Sequence, residues 1–172
     1  MTTVCVFETG IGWVAFARAD VGVSHLLMGH SSEPAVRSAL DQRLVASTEQ
    51  LAETAQDELA DRIIAYAQGD PVSFDDVPLA LPPMTPFRKA IVRCLRQVPY
   101  GTTISYGELA QRAGRPGAAR AVGQAMASNT LPLLIPCHRV IAAGGRLGGF
   151  SAPTGVTLKE RLLALEGVAA VR

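Results

Sequence analysis

The sequence has few cysteines and no long hydrophobic runs. Three cysteines occur in 172 residues, Cys5, Cys94 and Cys137, and an odd, unclustered set predicts neither a disulfide framework nor a zinc ribbon. No stretch approaches the roughly 18 apolar residues that cross a bilayer. The opening MTTVCVFETG lacks the basic and long apolar regions of a secretory signal. We therefore predict a cytoplasmic protein without membrane contact, nucleoid-associated if it is bacterial.

Positive charge is scarce in the first half of the chain. Residues 1–85 contain four arginines, no lysine and twelve acidic residues, whereas residues 86–172 contain twelve Lys and Arg and three acidic residues. This asymmetry indicates a second half that binds nucleic acid beside a first half that does not. Attraction between the two halves is the alternative explanation. The hydrophobic content of 48% excludes a mainly disordered chain.

The first half has the pattern of strands followed by a helix. Short runs rich in Val, Phe and Trp within residues 4–29 predict antiparallel strands. From about Glu33 to Gln68 apolar residues recur at helical spacing. Four prolines between Phe74 and Phe87 predict an extended linker where the charge changes sign. We therefore predict an acidic scaffold domain over residues 1–84, without chemistry of its own, and a basic domain over residues 85–172.

The second half contains the pattern of a helix-turn-helix. After a helix in PFRKAIVRCLRQV, Ser105 and Glu108 have the spacing of a capping box at the start of YGELAQRAG. The turn Gly114–Gly117 separates this helix from a second one in RPGAARAVGQAMAS. Three arginines lie near the second helix: Arg112, Arg115 and Arg120. Its alanines and glycine allow close approach either to DNA, which the arginines favour, or to a neighbouring helix.

Cys137 lies in LIPCHRVIAAGG, where the apolar LPLLI predicts a preceding strand. A thiolate is the nucleophile, so a reactive cysteine needs a base or a positive field. Adjacent side chains of an extended segment point in opposite directions, so a water bridge from Cys137 to His138 on a turn is the easier geometry. A histidine base needs an orienting carboxylate. Glu166 is the best placed by elimination, since Glu108 caps a helix and Glu160 follows Lys159 in an exposed turn. A Cys-His dipeptide alone is more often structural.

Taken together, these motifs resemble the O6-alkylguanine-DNA alkyltransferases (methylated-DNA–protein-cysteine S-methyltransferases). The resemblance runs from about Phe87 to Gly167, and the first half is only loosely similar. It rests on PYGTTISYGELA, GAARAVGQAM, Asn129, IPCHRV and KERLLALEG in this order. It implies an α/β fold with a small antiparallel sheet and helix, ribonuclease H-like, in the first domain. The second domain would be a mostly α, winged-helix-like helix-turn-helix domain.

The resemblance implies a suicide DNA repair protein. Such a protein flips O6-alkylguanine, mainly O6-methylguanine, out of duplex DNA and transfers the alkyl group irreversibly to Cys137. His138 would be the water-bridged base, and Glu166 would hold it. Asn129 would brace the turn around the site. Tyr106 would rotate the target phosphate and donate a proton to the leaving guanine.

The resemblance also implies the partners of the site. Arg120 would enter the duplex in place of the extruded base. The further DNA contacts would be Tyr106, Arg115, Ala119, Ala121 and Gly123. The walls of the substrate pocket would be Met126, Val140, Phe150 and Ser151, with the backbone of Cys137. No cofactor or metal is implied. Cys5, His25 and His30 could supply three ligands of a structural zinc site, but no fourth ligand stands out. We expect a monomer in solution, with cooperative binding to DNA left open.

The sequence departs from the family pattern in three places. Phe150 stands where tyrosine is common, Thr130 where proline is common, and FSAPTGVTLK is longer than in some members. Two other functions stay open. A Cys-His-Glu hydrolase or acyltransferase would turn over, whereas a non-catalytic module for alkylated DNA would carry another residue in place of Cys137. A purely structural DNA-binding protein would have no need of Cys137.

Overall fold

A four-stranded sheet forms the first half of the chain, in a computed structural model that describes residues 1–44, 51–54 and 57–169. Its strands are β1 (Thr2–Thr9), β2 (Gly12–Ala19), β3 (Gly22–His30) and β4 (Leu51–Glu53). The first three strands form an antiparallel meander, as predicted. β4 pairs in parallel with β1, which gives the order β3-β2-β1-β4. The sheet is therefore mixed rather than wholly antiparallel.

Two helices pack on opposite faces of this sheet. Successive side chains of a strand point to opposite faces, and β2 shows this clearly. Ala15 and Ala17 pack with α1 (Glu33–Leu44), whereas Val14 and Phe16 belong to the cluster that contains α2 (Glu58–Ala67). The Asp57 side chain accepts a hydrogen bond from the Leu59 amide and so caps the start of α2.

The prediction of a helix from about Glu33 to Gln68 is wrong in its middle. Residues 51–53 form β4, and residues 45–50 and 55–56 lie outside the described residues. Pairing with β1 outweighs the apolar spacing here, because the edge of a sheet presents unpaired N–H and C=O groups. The predicted helix is thus realised as α1 and α2 on either side of a strand.

The proline-rich linker is extended, as predicted, and lies along β3. The Val23 amide donates to the Pro78 carbonyl at 2.9 Å, and the Ala80 amide donates to the Val23 carbonyl at 2.9 Å. Gly22 permits this close approach, since a Cβ atom there would lie 2.6 Å from the Pro78 backbone, and its φ is +136°. The linker is therefore held against the sheet.

The second half is mostly helical. Its elements are α3 (Pro86–Arg96), β5 (Ile104–Ser105), α4 (Tyr106–Arg112), α5 (Ala119–Ala127), β6 (Val140–Ile141) and α6 (Val156–Leu165). The capping box is confirmed: the Ser105 side chain accepts from the Glu108 amide, and the Glu108 carboxylate accepts from the Ser105 amide. Gly114 and Gly117 have φ of +86° and +84° and allow the turn between α4 and α5. The predicted helix-turn-helix pair is thus present.

A single buried apolar cluster contains residues from both halves of the chain. It runs from Phe16 in β2 through Tyr66 in α2 to Leu109 in α4 and Leu162 in α6. The strand predicted for LPLLI is wrong: residues 131–135 form a turn closed by the Ile135 amide and the Leu131 carbonyl at 2.8 Å. No helix within the described ranges is long and apolar enough to span a membrane.

Candidate active site

Cys137 begins a short 3₁₀ turn, Cys137–Arg139, directly before β6. The Asn129 side chain holds the approach to this turn, because its Nδ2 donates to the Ile135 carbonyl at 2.9 Å and its Oδ1 accepts from the Leu131 amide at 3.0 Å. The Arg139 amide closes the turn on the Pro136 carbonyl at 2.9 Å. Cys137 and His138 thus share a tight turn, as predicted, and the Asn129 side chain bonds the segment that leads into it, which is the position that the resemblance implies for it.

His138 and Glu166 form a buried pair behind this turn. The His138 Nε2 atom lies 2.7 Å from the Glu166 Oε1 atom, and His138 is completely buried. Arg139 adds three hydrogen bonds to the same carboxylate at 3.0 to 3.2 Å. The Gly101 amide donates to its Oε2 atom at 3.0 Å. The choice of Glu166 by elimination therefore agrees with the geometry, whereas sequence reasoning missed Arg139 as its counter-ion.

Glu166 carries the negative charge of the pair. Burial opposes its ionisation, but the hydrogen bonds and charges of His138 and Arg139 outweigh burial and lower the pKa of Glu166 to about 2. Burial also lowers the pKa of His138, despite the carboxylate beside it. A neutral imidazole has one N–H, and Nε2 faces the carboxylate, so the proton lies on Nε2. The buried Nδ1 atom has no hydrogen-bond partner among the described residues and is therefore the basic nitrogen.

Lys159 supplies a buried positive charge near Cys137. Its Nζ atom donates to the Val140 carbonyl at 2.5 Å and to the Gly149 carbonyl at 3.4 Å. Burial lowers the pKa of Lys159 to about 8. Burial raises the pKa of the Cys137 thiol, while the hydrogen bond from Asn129 and the charge of Lys159 lower it in opposition. Together these groups favour the thiolate in a site that otherwise disfavours it.

Sequence reasoning placed Lys159 beside an exposed turn and missed its burial. The signal was present in the helical spacing of KERLLALEG. Lys159 precedes Leu162, Leu163 and Glu166 by three, four and seven residues, and so shares their face of α6. All four of these residues are buried.

Cys137 lines a cavity of about 340 Å³. Its other lining residues are Tyr106, Gly123, Met126, Ala127, Gly149, Phe150 and Ser151. The predicted pocket residues Met126, Phe150 and Ser151 are thus brought together with the cysteine. Val140 is completely buried and does not line this cavity. Its carbonyl binds Lys159 instead.

The loop beside Tyr106 depends on a glycine that the sequence did not single out. Tyr106 is half-buried, and burial raises the pKa of its hydroxyl, as does the neighbouring Cys137. Gly148 has a φ of +70°, and a Cβ atom there would lie 2.8 Å from the Tyr106 hydroxyl oxygen. Only glycine lets the loop pass so close to this hydroxyl in that conformation.

The exposed face of α5 lies beside the cavity. Arg120 and Ala121 are exposed, Ala119 is half-buried, and a Cβ atom on Gly123 would touch the Tyr106 ring at 4.0 Å. Gly123, Met126 and Ala127 of α5 line the cavity, and Arg120 lies one helical turn before Gly123 on the same helix. Arg115 is exposed, and its guanidinium lies 4.9 Å from the centre of the Phe87 ring, which is a cation–π contact.

Cys94, Cys5 and His25 do not line this cavity. Cys94 is half-buried, and its thiol donates to the Arg112 carbonyl at 3.4 Å. Cys5 is buried in β1, and His25 contacts Ser24. Within the part of the chain that the structure describes, no group of three or more His, Cys, Asp or Glu side chains is placed to hold a metal ion.

The structure thus combines a mixed α/β fold, a helix-turn-helix and a buried cluster of Cys137, His138 and Glu166. Residues 86–168 match the DNA-binding domain of the 6-O-methylguanine DNA methyltransferases. A methylated-DNA–protein-cysteine methyltransferase of Methanosarcina acetivorans is 46% identical over 110 residues, which cover 64% of this chain and 68% of that relative. That of Shigella flexneri is 43% identical over 63% of this chain and 62% of the relative.

Solved structures agree over nearly the whole chain. The Mycobacterium tuberculosis OGT in complex with DNA is 33% identical and superposes with a TM-score of 0.76 over 96% of this chain and 93% of that one. The O6-methylguanine-DNA methyltransferase from Pyrococcus kodakaraensis is 25% identical, with a TM-score of 0.73 over 98% of this chain and 100% of that one. The chain belongs to the O6-methylguanine-DNA methyltransferase family.

Proposed function

We propose that this protein repairs O6-alkylguanine in double-stranded DNA by irreversible transfer of the alkyl group to Cys137. The observation that carries the proposal is the position of Cys137, which lines a cavity beside the exposed face of α5 and is backed by the His138–Glu166 pair. The names of the relatives and the DNA complex of the M. tuberculosis protein support the same activity. The basic second half supplies the charge for binding phosphates.

Cys137 is activated by proton transfer to His138. Through a bridging water, the thiol proton moves to the His138 Nδ1 atom, which is the unprotonated nitrogen. Glu166 stabilises the imidazolium that forms, and Arg139 keeps Glu166 ionised. Lys159 stabilises the thiolate by its charge.

The alkylated base reaches Cys137 only after it leaves the stack. Flipping a nucleotide costs a few kcal/mol. Arg120 would offset this cost by occupying the gap in the duplex, and the small residues Ala119, Ala121 and Gly123 would let α5 approach the DNA closely. A cavity of about 340 Å³ lies at the lower end of the range for small-ligand sites.

Transfer then occurs by in-line displacement at the alkyl carbon. The Cys137 sulfur forms a bond to this carbon as the bond between the carbon and guanine O6 breaks. The electron pair of that bond stays on the guanine, which takes a proton from the Tyr106 hydroxyl. His138 then releases the thiol proton to solvent, and Tyr106 regains a proton from solvent. The thioether on Cys137 is stable, so one chain repairs one lesion.

We also propose a fold type for each domain, a cellular location and an oligomeric state. The order of β1 to β4 with α1 supports a ribonuclease H-like first domain that ends near residue 84. The helix pair α4 and α5 supports a winged-helix-like second domain. We expect a cytoplasmic monomer that needs no cofactor.

The proposal is tested by incubating the protein with a duplex oligonucleotide that contains O6-methylguanine. We expect the intact mass to rise by one methyl group and peptide mapping to place it on Cys137. Cys94→Ser is the matched control and should accept the methyl group like the wild type, whereas Cys137→Ser should not. Unmodified Cys137 beside intact lesion would exclude the proposal, and repeated turnover would favour the hydrolase.

A further inference from the structure

The acidic first half contributes a side chain to the active site. Tyr66, on α2, is separated from His138 and Glu166 by 72 and 100 residues in sequence, yet its hydroxyl contacts both. We infer that Tyr66 is a positioning residue for the His138–Glu166 pair. Only the expected effect of Tyr66 on the rate of alkyl transfer rests on the proposed function.

The hydroxyl of Tyr66 has one proton, and the geometry assigns it to Glu166. It donates to the Glu166 Oε1 atom at 2.8 Å. The same hydroxyl oxygen lies 3.3 Å from the His138 Nε2 atom. Since the Nε2 proton also points to Oε1, the hydroxyl and the imidazole share one acceptor. Burial raises the pKa of Tyr66, and the charge of Glu166 raises it further, so the hydroxyl stays a donor at any physiological pH.

The ring of Tyr66 is fixed from several sides. Tyr66 is completely buried on the face of α2 that packs into the core. Its ring meets the His138 ring with 6.4 Å between centres and an angle of 67° between planes. Tyr100 meets it edge-on at 6.0 Å, and Phe74 packs at 5.9 Å. This packing limits rotation of the imidazole and keeps its Nδ1 atom directed away from Glu166.

The shared acceptor has a consequence for proton transfer. The hydrogen bond that Tyr66 donates to Oε1 reduces the negative charge with which the carboxylate acts on the His138 N–H group. Removing the hydroxyl makes Glu166 a stronger partner for His138, which favours the imidazolium. The expected result is a histidine that titrates at higher pH and accepts a thiol proton less readily in acidic solution.

Tyr66→Phe tests this inference, because it removes the hydroxyl and keeps the ring. We expect the titration midpoint of His138, followed by the NMR shifts of its ring nitrogens, to rise by about one pH unit. The rate of Cys137 methylation by O6-methylguanine DNA should fall several-fold at acidic pH and approach the wild-type rate as pH rises.

Tyr100→Phe is the matched control. The Tyr100 hydroxyl donates to the carbonyls of Gly69 and Leu165 and not to Glu166. This variant removes a neighbouring hydroxyl that does not bind Glu166, so the NMR shifts of the His138 ring nitrogens should equal those of the wild type. Equal shifts in both variants would show a general loosening of the core and overturn the inference.

If Tyr66→Phe does not fold, a second variant that retains the hydroxyl provides the test. Replacing Tyr66 by 3-fluorotyrosine retains the hydroxyl and makes it a stronger donor, so the His138 midpoint should move to lower pH. If the ring-nitrogen shifts and the titration of His138 in the 3-fluorotyrosine variant, or in folded Tyr66→Phe, equal those of the wild type, the inference is overturned. If the wild-type protein accepts no alkyl group, the proposed function fails, while the NMR comparison still decides the role of Tyr66.

Discussion

Glu166→Gln should remove a pH-dependent part of the stability of this protein. The pKa of Glu166 is about 2, against an ordinary value of 4.5. At about 1.4 kcal/mol per pKa unit, the ionised carboxylate contributes about 3 kcal/mol to the free energy of unfolding. Because the pKa is lowered by folding, this contribution is fully present above pH 4.5 and is lost as pH falls towards 2.

Glu166→Gln also leaves the buried guanidinium of Arg139 opposite a neutral amide. Breaking a buried ion pair from one side typically costs about 3–5 kcal/mol. We therefore expect urea unfolding at pH 7 to show a loss of this size, and the gap to the wild type to narrow as pH falls below 4.5. Glu160→Gln is the matched control on the exposed side of α6 and should follow the wild type. A gap for Glu166→Gln that stays constant from pH 7 to pH 3 would refute the reasoning.

Three further substitutions test the other parts of the site. Arg120→Ala should slow repair of duplex DNA at least tenfold but spare reaction with free O6-benzylguanine, since Arg120 is exposed and serves base flipping; equal losses in the two rate assays would contradict this role. Lys159→Met should slow alkylation of Cys137 by iodoacetamide at pH 7, and the deficit should shrink above about pH 8, where wild-type Lys159 loses its charge; a deficit that is independent of pH would argue against an effect of charge. Gly148→Ala should displace the loop from the Tyr106 hydroxyl, given the distance of 2.8 Å to the added Cβ atom, and so lower the methylation rate; an unchanged rate would show that this contact is dispensable.

The parts of the fold that the sequence predicts are those with local signals. The capping box of Ser105 and Glu108 and the positive φ of Gly114 and Gly117 depend on a few neighbouring residues. The helix predicted from about Glu33 to Gln68 failed because β4 forms only by pairing with a strand about fifty residues away. Local spacing contains no information about such a partner.

The residues of the candidate site also differ in whether the sequence contains a signal for them. Glu166 was found because the basic half has only three acidic residues, which makes elimination effective. Lys159 had a signal in its helical spacing, but a lysine is rarely buried without a partner. Tyr66 had none, since its contact with Glu166 spans 100 residues and depends on how α2 packs against the second half.

The most direct measurement of the central claim is the number of lesions that one protein chain removes. Duplex DNA with O6-methylguanine would be supplied in large excess over active protein, and the repaired lesions would be counted at completion. One lesion per chain, with one methyl group on Cys137, is the expected result. Continued repair beyond one lesion per chain, or repair by Cys137→Ser, would contradict irreversible transfer to this cysteine.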